Sequence, residues 1–390
     1  MNPPGKNKFS ARPGRALLFL TTLLLVWGLC GVPGAAQPQS EPNGEASLTT
    51  GAPENPGPGF DPPQARGGEA RAKIAVLLSY AQAGRWEKDL AAMRDFAAAR
   101  DIDLLVEVSP GNQMLQNNQA AKLLAQNPSV LVLAPHDAAG AASIVRRARA
   151  QGVRVIAYDR LVLNAGVDLY ISYDSEKVGE LQGGYLARRA PAGAYVLLSG
   201  SPTDHNALLL WQGAMKALQP LIDSGAITVA ADGPVIDWEP ATARDIVEAA
   251  LNRGVKLAAV LAPNDSTAAG AVQALNRAGL GGRVLVTGQD ATVDAVQRLI
   301  LGSQSMTVYK NTRLMAGRAL ELALMMARGE PWEDEVPERI NDGGRLVPAI
   351  MLSPVLVDQN NIDSVLISGG HLSREEIYGR EGGLSRGQNR

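Results

Sequence analysis

Thiol chemistry is almost missing from this 390-residue chain: its one cysteine, Cys30, lies in the N-terminal segment, and everything downstream has no sulfhydryl group. That excludes disulfides and cysteine-ligated metals from the folded part. Histidine is scarce as well. His136, His205 and His371 stand in unrelated contexts, and no spacing of nucleophile and base is visible. No basic cluster occurs, and the formal net charge is −2, whereas a nucleic-acid binder presents a positive face. Aromatic residues make up 4% of the chain, so the places where tryptophan does occur carry information.

Hydrophobic residues reach 46% over a length comfortable for two cores, which predicts a folded product. Residues 1–36 hold Lys6, Lys8, Arg12 and Arg15 and no acidic group. Removing those four from 37 basic residues leaves 33 against 39 acidic ones, a mature charge near −6. Ala16–Val26 is apolar without a charge and continues to Val32, in the layout of an export signal, with Gly34-Ala35-Ala36 as the small-residue cleavage site. The apolar stretch of about 17 residues is long for a signal core and borderline for a membrane span. Cleavage, a retained signal anchor and a lipid on Cys30 therefore stand as three readings, in that order. Leu29 before Cys30, where a small residue is usual for lipidation, puts the last behind. All three place the chain outside the cytoplasm, periplasmic or at the cell surface.

Residues 37–71 are rich in Pro, Gly, Ser and Glu and read as a flexible linker, because they cannot bury enough surface to offset the entropy of ordering. From Lys73 the pattern alternates. Strands read at 73–79, 103–108, 129–134 and 153–158, with helices at 86–100, 115–127 and 137–151. A second run has strands at 194–199, 226–231, 257–262 and 283–287 and helices at 175–189, 205–223, 240–254 and 265–278. Repeated βαβ units imply parallel sheet, and two runs of similar size imply two lobes. Gly152, Gly225, Gly254 and Gly279 punctuate the helix ends. The tail from 377 to 390 is Gly- and Arg-rich and reads as disordered.

Polar residues gather where the apolar runs end: Arg85, Asp159-Arg160, Asp204 with Asn206, Asn264-Asp265, Gln289-Asp290 and Lys310. In an open parallel sheet the carboxyl ends of the strands are where ligands bind. Donors and acceptors of both charge signs suit a small hydroxylated molecule better than they suit catalysis.

The order of motifs then becomes specific. Arg85-Trp86-Glu87-Lys88-Asp89, Ala157-Tyr158-Asp159-Arg160, and Tyr170–Asp174 followed by Glu176–Gln182 open the series. Gly200–Ala207, Asn264-Asp265, Gly288-Gln289-Asp290-Ala291 and Met306–Lys310 complete it. Together, over residues 73–375, they resemble the bacterial D-xylose-binding proteins of ABC transport systems. The resemblance implies an α/β fold of type I periplasmic-binding-protein architecture: two doubly wound parallel-sheet lobes joined by a three-segment hinge, with sugar in the cleft. On it, residues 72–175 plus 311–342 form the N-terminal lobe and 176–310 plus 347–376 the C-terminal lobe. It places Arg85, Trp86, Asp159, Arg160, Asp204, Asn206, Trp238, Asn264, Asp290 and Lys310 around the sugar. Carboxylates and amide oxygens would accept from its hydroxyls, Arg, Lys and amide nitrogens would donate, and the tryptophans offer flat faces to its C–H groups.

Plainer readings exist for several of these residues. Trp86 opens a helix and fits a core position, Arg160 fits an ion pair with Asp159 or Glu176, and Gln289 fits a brace for Asp290. Asp265 reads as the N-cap of its helix, which leaves Asn264 for the ligand. His205 reads as a neighbour of the site. The loop Ser79–Gly84 lacks the charged residues usual in the family, and 329–346 matches poorly and reads as surface.

The expected function is an extracytoplasmic protein that captures D-xylose or a related monosaccharide, closes, and delivers it to an ABC permease. A sugar sensor presenting its closed form to a chemoreceptor or sensor kinase is the alternative. No cofactor, metal or nucleic-acid partner is expected, and the protein is expected to be a monomer. An enzyme is disfavoured: Asp204 and Asp290 are candidates for a glycosidase-like pair, but neighbouring cations and amides would keep both ionised. A repressor of related fold would need a helix-turn-helix before the first strand, where the sequence has a signal and a linker instead.

Overall fold

The computed structural model of the chain describes residues 71–79, 85–109, 111–336 and 338–379. The expected signal, nearly all of the linker, the loop at 80–84 and residues 380–390 of the expected tail lie outside these residues. The expectation of a tail from 377 is corrected: Ile377 and Tyr378 are helical, and Ile377 is fully buried against a core cluster. No helix among the described residues is long and apolar enough to cross a membrane.

The first half runs β1 (Lys73–Ser79), α1 (Arg85–Ala99), β2 (Asp103–Ser109), α2 (Gln113–Leu124), β3 (Val130–Leu133), α3 (Ala142–Ala150), β4 (Arg154–Tyr158) and β5 (Leu169–Tyr173). The strands are short apolar runs with no inside–outside alternation because helices cover both faces of the sheet. In β1, Ile74, Val76 and Leu78 pack against α1, while Ala75 and Leu77 face α2 and α3. The expected helix from 137 begins only at Ala142. The Asp137 carboxylate accepts from the N–H groups of Ala139 (2.9 Å) and Gly140 (2.7 Å), an Asx turn that competes with helix.

The second half runs α4 (Ser175–Arg189), β6 (Gly193–Ser199), α5 (His205–Asp223), β7 (Ile227–Pro234), α6 (Pro240–Asn252), β8 (Leu257–Leu261), α7 (Asp265–Arg277), β9 (Leu285–Val286), α8 (Val293–Ile300) and β10 (Thr307–Tyr309). Its four parallel strands lie in the order β7-β6-β8-β9. Helices α4 and α5 meet backbone to backbone: a Cβ on Gly213 would stand 1.9 Å from the Glu176 carbonyl oxygen, and one on Gly179 2.0 Å from that of Leu210. Only glycine permits that approach.

The chain then returns. Helix α9 (Thr312–Arg328) packs Met315, Ala316, Ala319 and Leu320 back onto the first sheet. It is followed by β11 (Glu338–Asn341), β12 (Leu346–Leu352), β13 (Val355–Val357) and α10 (Arg374–Tyr378). The first sheet is β11-β12-β5-β4-β3-β1-β2, and β10 pairs with β13. Two expectations are corrected here. Residues 347–352, assigned above to the C-terminal lobe, belong to the first sheet, because β12 pairs in parallel with β5 from Ala349↔Tyr170 to Leu352↔Tyr173. Nor is 329–346 all surface: Trp332 and Asp342 are buried, and the Asp342 carboxylate accepts from Ala165, Gly166, Gly344 and Arg345 N–H groups.

The protein is therefore an α/β molecule of two doubly wound lobes, and three segments cross between them: 173–175, 310–312 and 352–355. They are stitched together. Tyr173 Oη accepts from Asn311 N–H (2.8 Å) and donates to its carbonyl (3.2 Å), and Asp174 N–H donates to Leu352 (3.0 Å).

Candidate functional site

The site is assembled from residues that follow the strands or open the helices after them. Arg85 and Trp86 open α1. Asp159 and Arg160 follow β4, Asp204 and Asn206 begin α5, and Trp238 ends a 3-10 turn after β7. Asn264 follows β8, Asp290 follows β9 and Lys310 follows β10. Side chains at these ends project into the space between the lobes, which is why residues so far apart in sequence meet. All ten expected site residues line one narrow cavity, joined by Leu210 and Gln289.

Charge within the cavity is matched in sign. Arg85 donates to the Asp159 carboxylate and stands 3.6 Å from Asp290 Oδ1. Lys310 Nζ lies 3.1 Å from Asp290 Oδ1 and 3.7 Å from Asp159 Oδ2. Arg160 Nε reaches Asp204 Oδ2 at 2.8 Å, a partner other than the Asp159 or Glu176 of the plainer reading. Burial alone would raise the Asp159 pKa, but Arg85 and Lys310 overcome it and hold the carboxyl well below the usual range. Burial likewise works against the Arg85 cation, yet Asp159, Asp290 and Asp89 raise its pKa well above the ordinary value. The ionised forms stabilise one another, so the cavity is charged and nearly neutral overall.

The backbone is constrained to match. Asp159 adopts φ +61, and its carbonyl accepts from Tyr170 Oη (3.0 Å), Ser172 Oγ (2.7 Å) and, from the opposite lobe, Asn206 Nδ2 (3.0 Å). Such a conformation persists in a non-glycine residue only where its surroundings impose it. Trp86 joins the two plainer alternatives: it is buried in the core beside Tyr158 and also lines the cavity, with the guanidinium carbon of Arg85 4.6 Å from its ring centre. Trp238 lies flat against Gly200, where a Cβ would come within 2.2 Å of the indole. Three buried polar atoms of lining residues, Arg85 Nε, Trp238 Nε1 and Asp290 Oδ1, make no hydrogen bond among the described residues. They are capacity for a polar ligand.

Asn264, not Asp265, is the N-cap of α7. Its Oδ1 accepts from Thr267 N–H at 3.0 Å within a reciprocal capping box, and the amide nitrogen is what it has to offer the cavity. Gln289 faces the cavity. His205 turns away and lines two grooves outside it.

One residue escaped the sequence reading of roles. Asp89 is fully buried one helical turn after Arg85, 3.9 Å from its Nε, and accepts from the Tyr158 hydroxyl. Burial raises its pKa from 3.8 to about 6, against the pull of Arg85. The i,i+4 spacing Arg85–Asp89 was the available signal, but nothing in the sequence marks that helix face as buried.

Among the described residues no group of His, Cys, Asp and Glu is disposed to hold a metal ion. The arrangement can bind a neutral, hydroxyl-rich molecule by many directed hydrogen bonds, and it offers no nucleophile aligned with a base.

Comparison with known proteins agrees with this chemistry. A periplasmic binding protein domain matches residues 74–331. The D-xylose-binding periplasmic protein of Haemophilus influenzae is 39% identical over 307 residues, 78% of this chain and 92% of its own length. That of Escherichia coli is 38% identical over 306 residues, again 78% and 92%. Among solved structures, a carbohydrate transporter solute binding protein from Chloroflexus aurantiacus in complex with D-glucose superposes with a TM-score of 0.71. It is 30% identical, over 78% of this chain and 97% of its own.

Proposed function

The chain belongs to the periplasmic binding protein family, a family of binding proteins rather than enzymes, and from that premise we propose that it captures D-xylose outside the cytoplasm and delivers it to an ABC permease. The carrying observation is that one cavity gathers three cations, three carboxylates, three amide side chains and two tryptophans at the strand ends of both lobes. A pyranose carries a ring of hydroxyls, each donor and acceptor at once. Hydrogen bonds to charged partners contribute about 1.5–3 kcal/mol each against about 0.5–1.5 for neutral ones. The ligand need carry no charge, because Arg85, Lys310 and Arg160 already neutralise Asp159, Asp290 and Asp204.

D-xylose is chosen over other aldoses because the two relatives near 40% identity carry that name. The sugar touches both lobes only when they are closed, so its binding energy favours the closed form, which the permease would recognise. A calorimetric panel of aldopentoses and aldohexoses tests the reading. One site per chain, with D-xylose at micromolar affinity or tighter, about −8 kcal/mol or better, is expected. Tight binding of another sugar with no heat from D-xylose overturns the ligand and leaves the fold untouched.

A further inference from the structure

We propose that Asp265 is a positioning residue for sugar capture, acting through Asp290 and its pairing with Lys310 without touching the ligand; this rests on the cavity's being the sugar site.

Asp265 is 2% exposed and does not line the cavity. Its carboxylate is a hub with four donors. Oδ1 accepts from Gln304 Nε2 (2.9 Å) and Thr307 Oγ1 (2.8 Å), and Oδ2 accepts from Thr292 N–H (2.9 Å) and Oγ1 (3.3 Å). None of this serves the helix it begins, because α7 is already capped by Asn264. The partners instead flank the two residues after Gln289. Asp290 and Ala291 adopt φ +101 and +48, values an L-residue keeps only under external constraint.

The constraint can be traced atom by atom. Thr307 Oγ1 accepts from Ala291 N–H (3.3 Å), so its own proton is directed to Asp265. Asp265 N–H donates to the Gln289 carbonyl (3.0 Å), and Asp290 N–H donates to Val308 (2.8 Å). A Cβ on Gly288 would lie 2.2 Å from Asp265 Oδ1, so the carboxylate also packs directly on the chain entering the turn. Asp290 is thereby fixed from the α7 side and from β10, the strand just before Lys310, whose Nζ lies 3.1 Å from the Asp290 carboxylate. Two wall residues on different strands thus share one buried support. Arg298 closes it from outside, donating to the Asp265 carbonyl and the Gln304 side chain, both at 2.9 Å.

The decisive property is that all four partners donate. Asn at this position has the same shape but one acceptor oxygen, and its amide group must face a donor. Asp265→Asn is expected to weaken D-xylose binding about tenfold in the wild-type background and less than about twofold when Asp290 is already Asn, since a residue acting through Asp290 has no further effect once Asp290 is altered. Combined with Arg160→Met on the opposite lobe, the two losses should multiply. An equal factor with and without Asp290 overturns the proposal.

Thr307→Val breaks the same relay if Asp265→Asn fails to fold, and Thr307→Ser, which keeps the hydroxyl, should restore affinity. A crystal structure of Thr307→Val gives a readout that needs no sugar: the Asp290 carboxylate should leave Lys310, and an unchanged separation overturns the proposal. Absence of heat from every aldose with the wild-type chain would instead overturn the ligand reading, with the crystal structure still deciding the relay.

Discussion

Arg160 and Asp204 meet across the interlobe boundary at 2.8 Å, one from the end of β4 and the other from the N-cap of α5. Both side chains are less than a tenth exposed, so each is the other's main compensation for lost water. Asp204 has a second duty, accepting from Asn206 N–H at 3.0 Å. The contact that links the lobes therefore also orients a second wall residue.

Asp204→Asn should weaken D-xylose binding by about 1.5–3 kcal/mol, the range for a hydrogen bond to a charged group. The amide oxygen can still cap α5, so thermal stability without sugar should change little. Titration calorimetry with a melting curve reads both, and affinity within twofold of wild type would remove Asp204 from the site.

Asp290→Ala should cost about 2–4 kcal/mol of sugar binding through lost charge-assisted hydrogen bonds. Lys310 keeps Asp159 at 3.7 Å and is not left unpaired, so the fold should survive. A large drop in melting temperature with near-normal affinity would show that Asp290 only holds its turn together.

Asp89 makes stability depend on pH. Its native pKa of about 6 lies above the ordinary 3.8, so the native state holds a proton that the unfolded chain releases. The resulting stabilisation is fully present below pH 3.8 and is lost as pH rises through about 6. Asp89→Asn should remove this loss: relative to wild type, the variant should gain up to about 3 kcal/mol between pH 4 and pH 7. Urea unfolding at both pH values measures it, and a difference independent of pH would refute it.

Gly213→Ala should destabilise the second lobe by about 1–3 kcal/mol, because the new methyl meets the Glu176 backbone at 1.9 Å and helices α4 and α5 must part. Thermal unfolding is the measurement. A melting temperature equal to wild type would mean that the helix contact is looser than described.

Much of the site is legible in the amino-acid sequence. Apolar runs ending in paired polar residues predict strand ends, and Asp159, Asn264 and Asp290 meet because parallel strands present those ends to one side, whereas Lys310 arrives on β10, which pairs antiparallel with β13. Boundaries fail where side chains compete with the backbone, as at Asp137 before α3. The loop at 80–84, where the sequence departs from the family, lies outside the described residues.

Local composition by itself determined that this chain makes alternating strands and helices, two parallel sheets and a polar rim at their carboxyl ends. Period, length and glycine punctuation are properties of neighbouring residues, and they suffice for that. Tertiary structure alone decided three things. Strand β12 joins the first sheet because β5 offers it a free edge, and its seven residues carry no mark of which lobe they favour. Asn264 and Asp265, adjacent and alike in capping propensity, divide their work because the helix turns one toward Thr267 and the cavity and the other toward Thr292 and Thr307. Asp89 becomes a buried partner of Arg85 because the side of α1 that carries it faces the sheet, and burial is set by what packs against a residue, not by its neighbours in sequence.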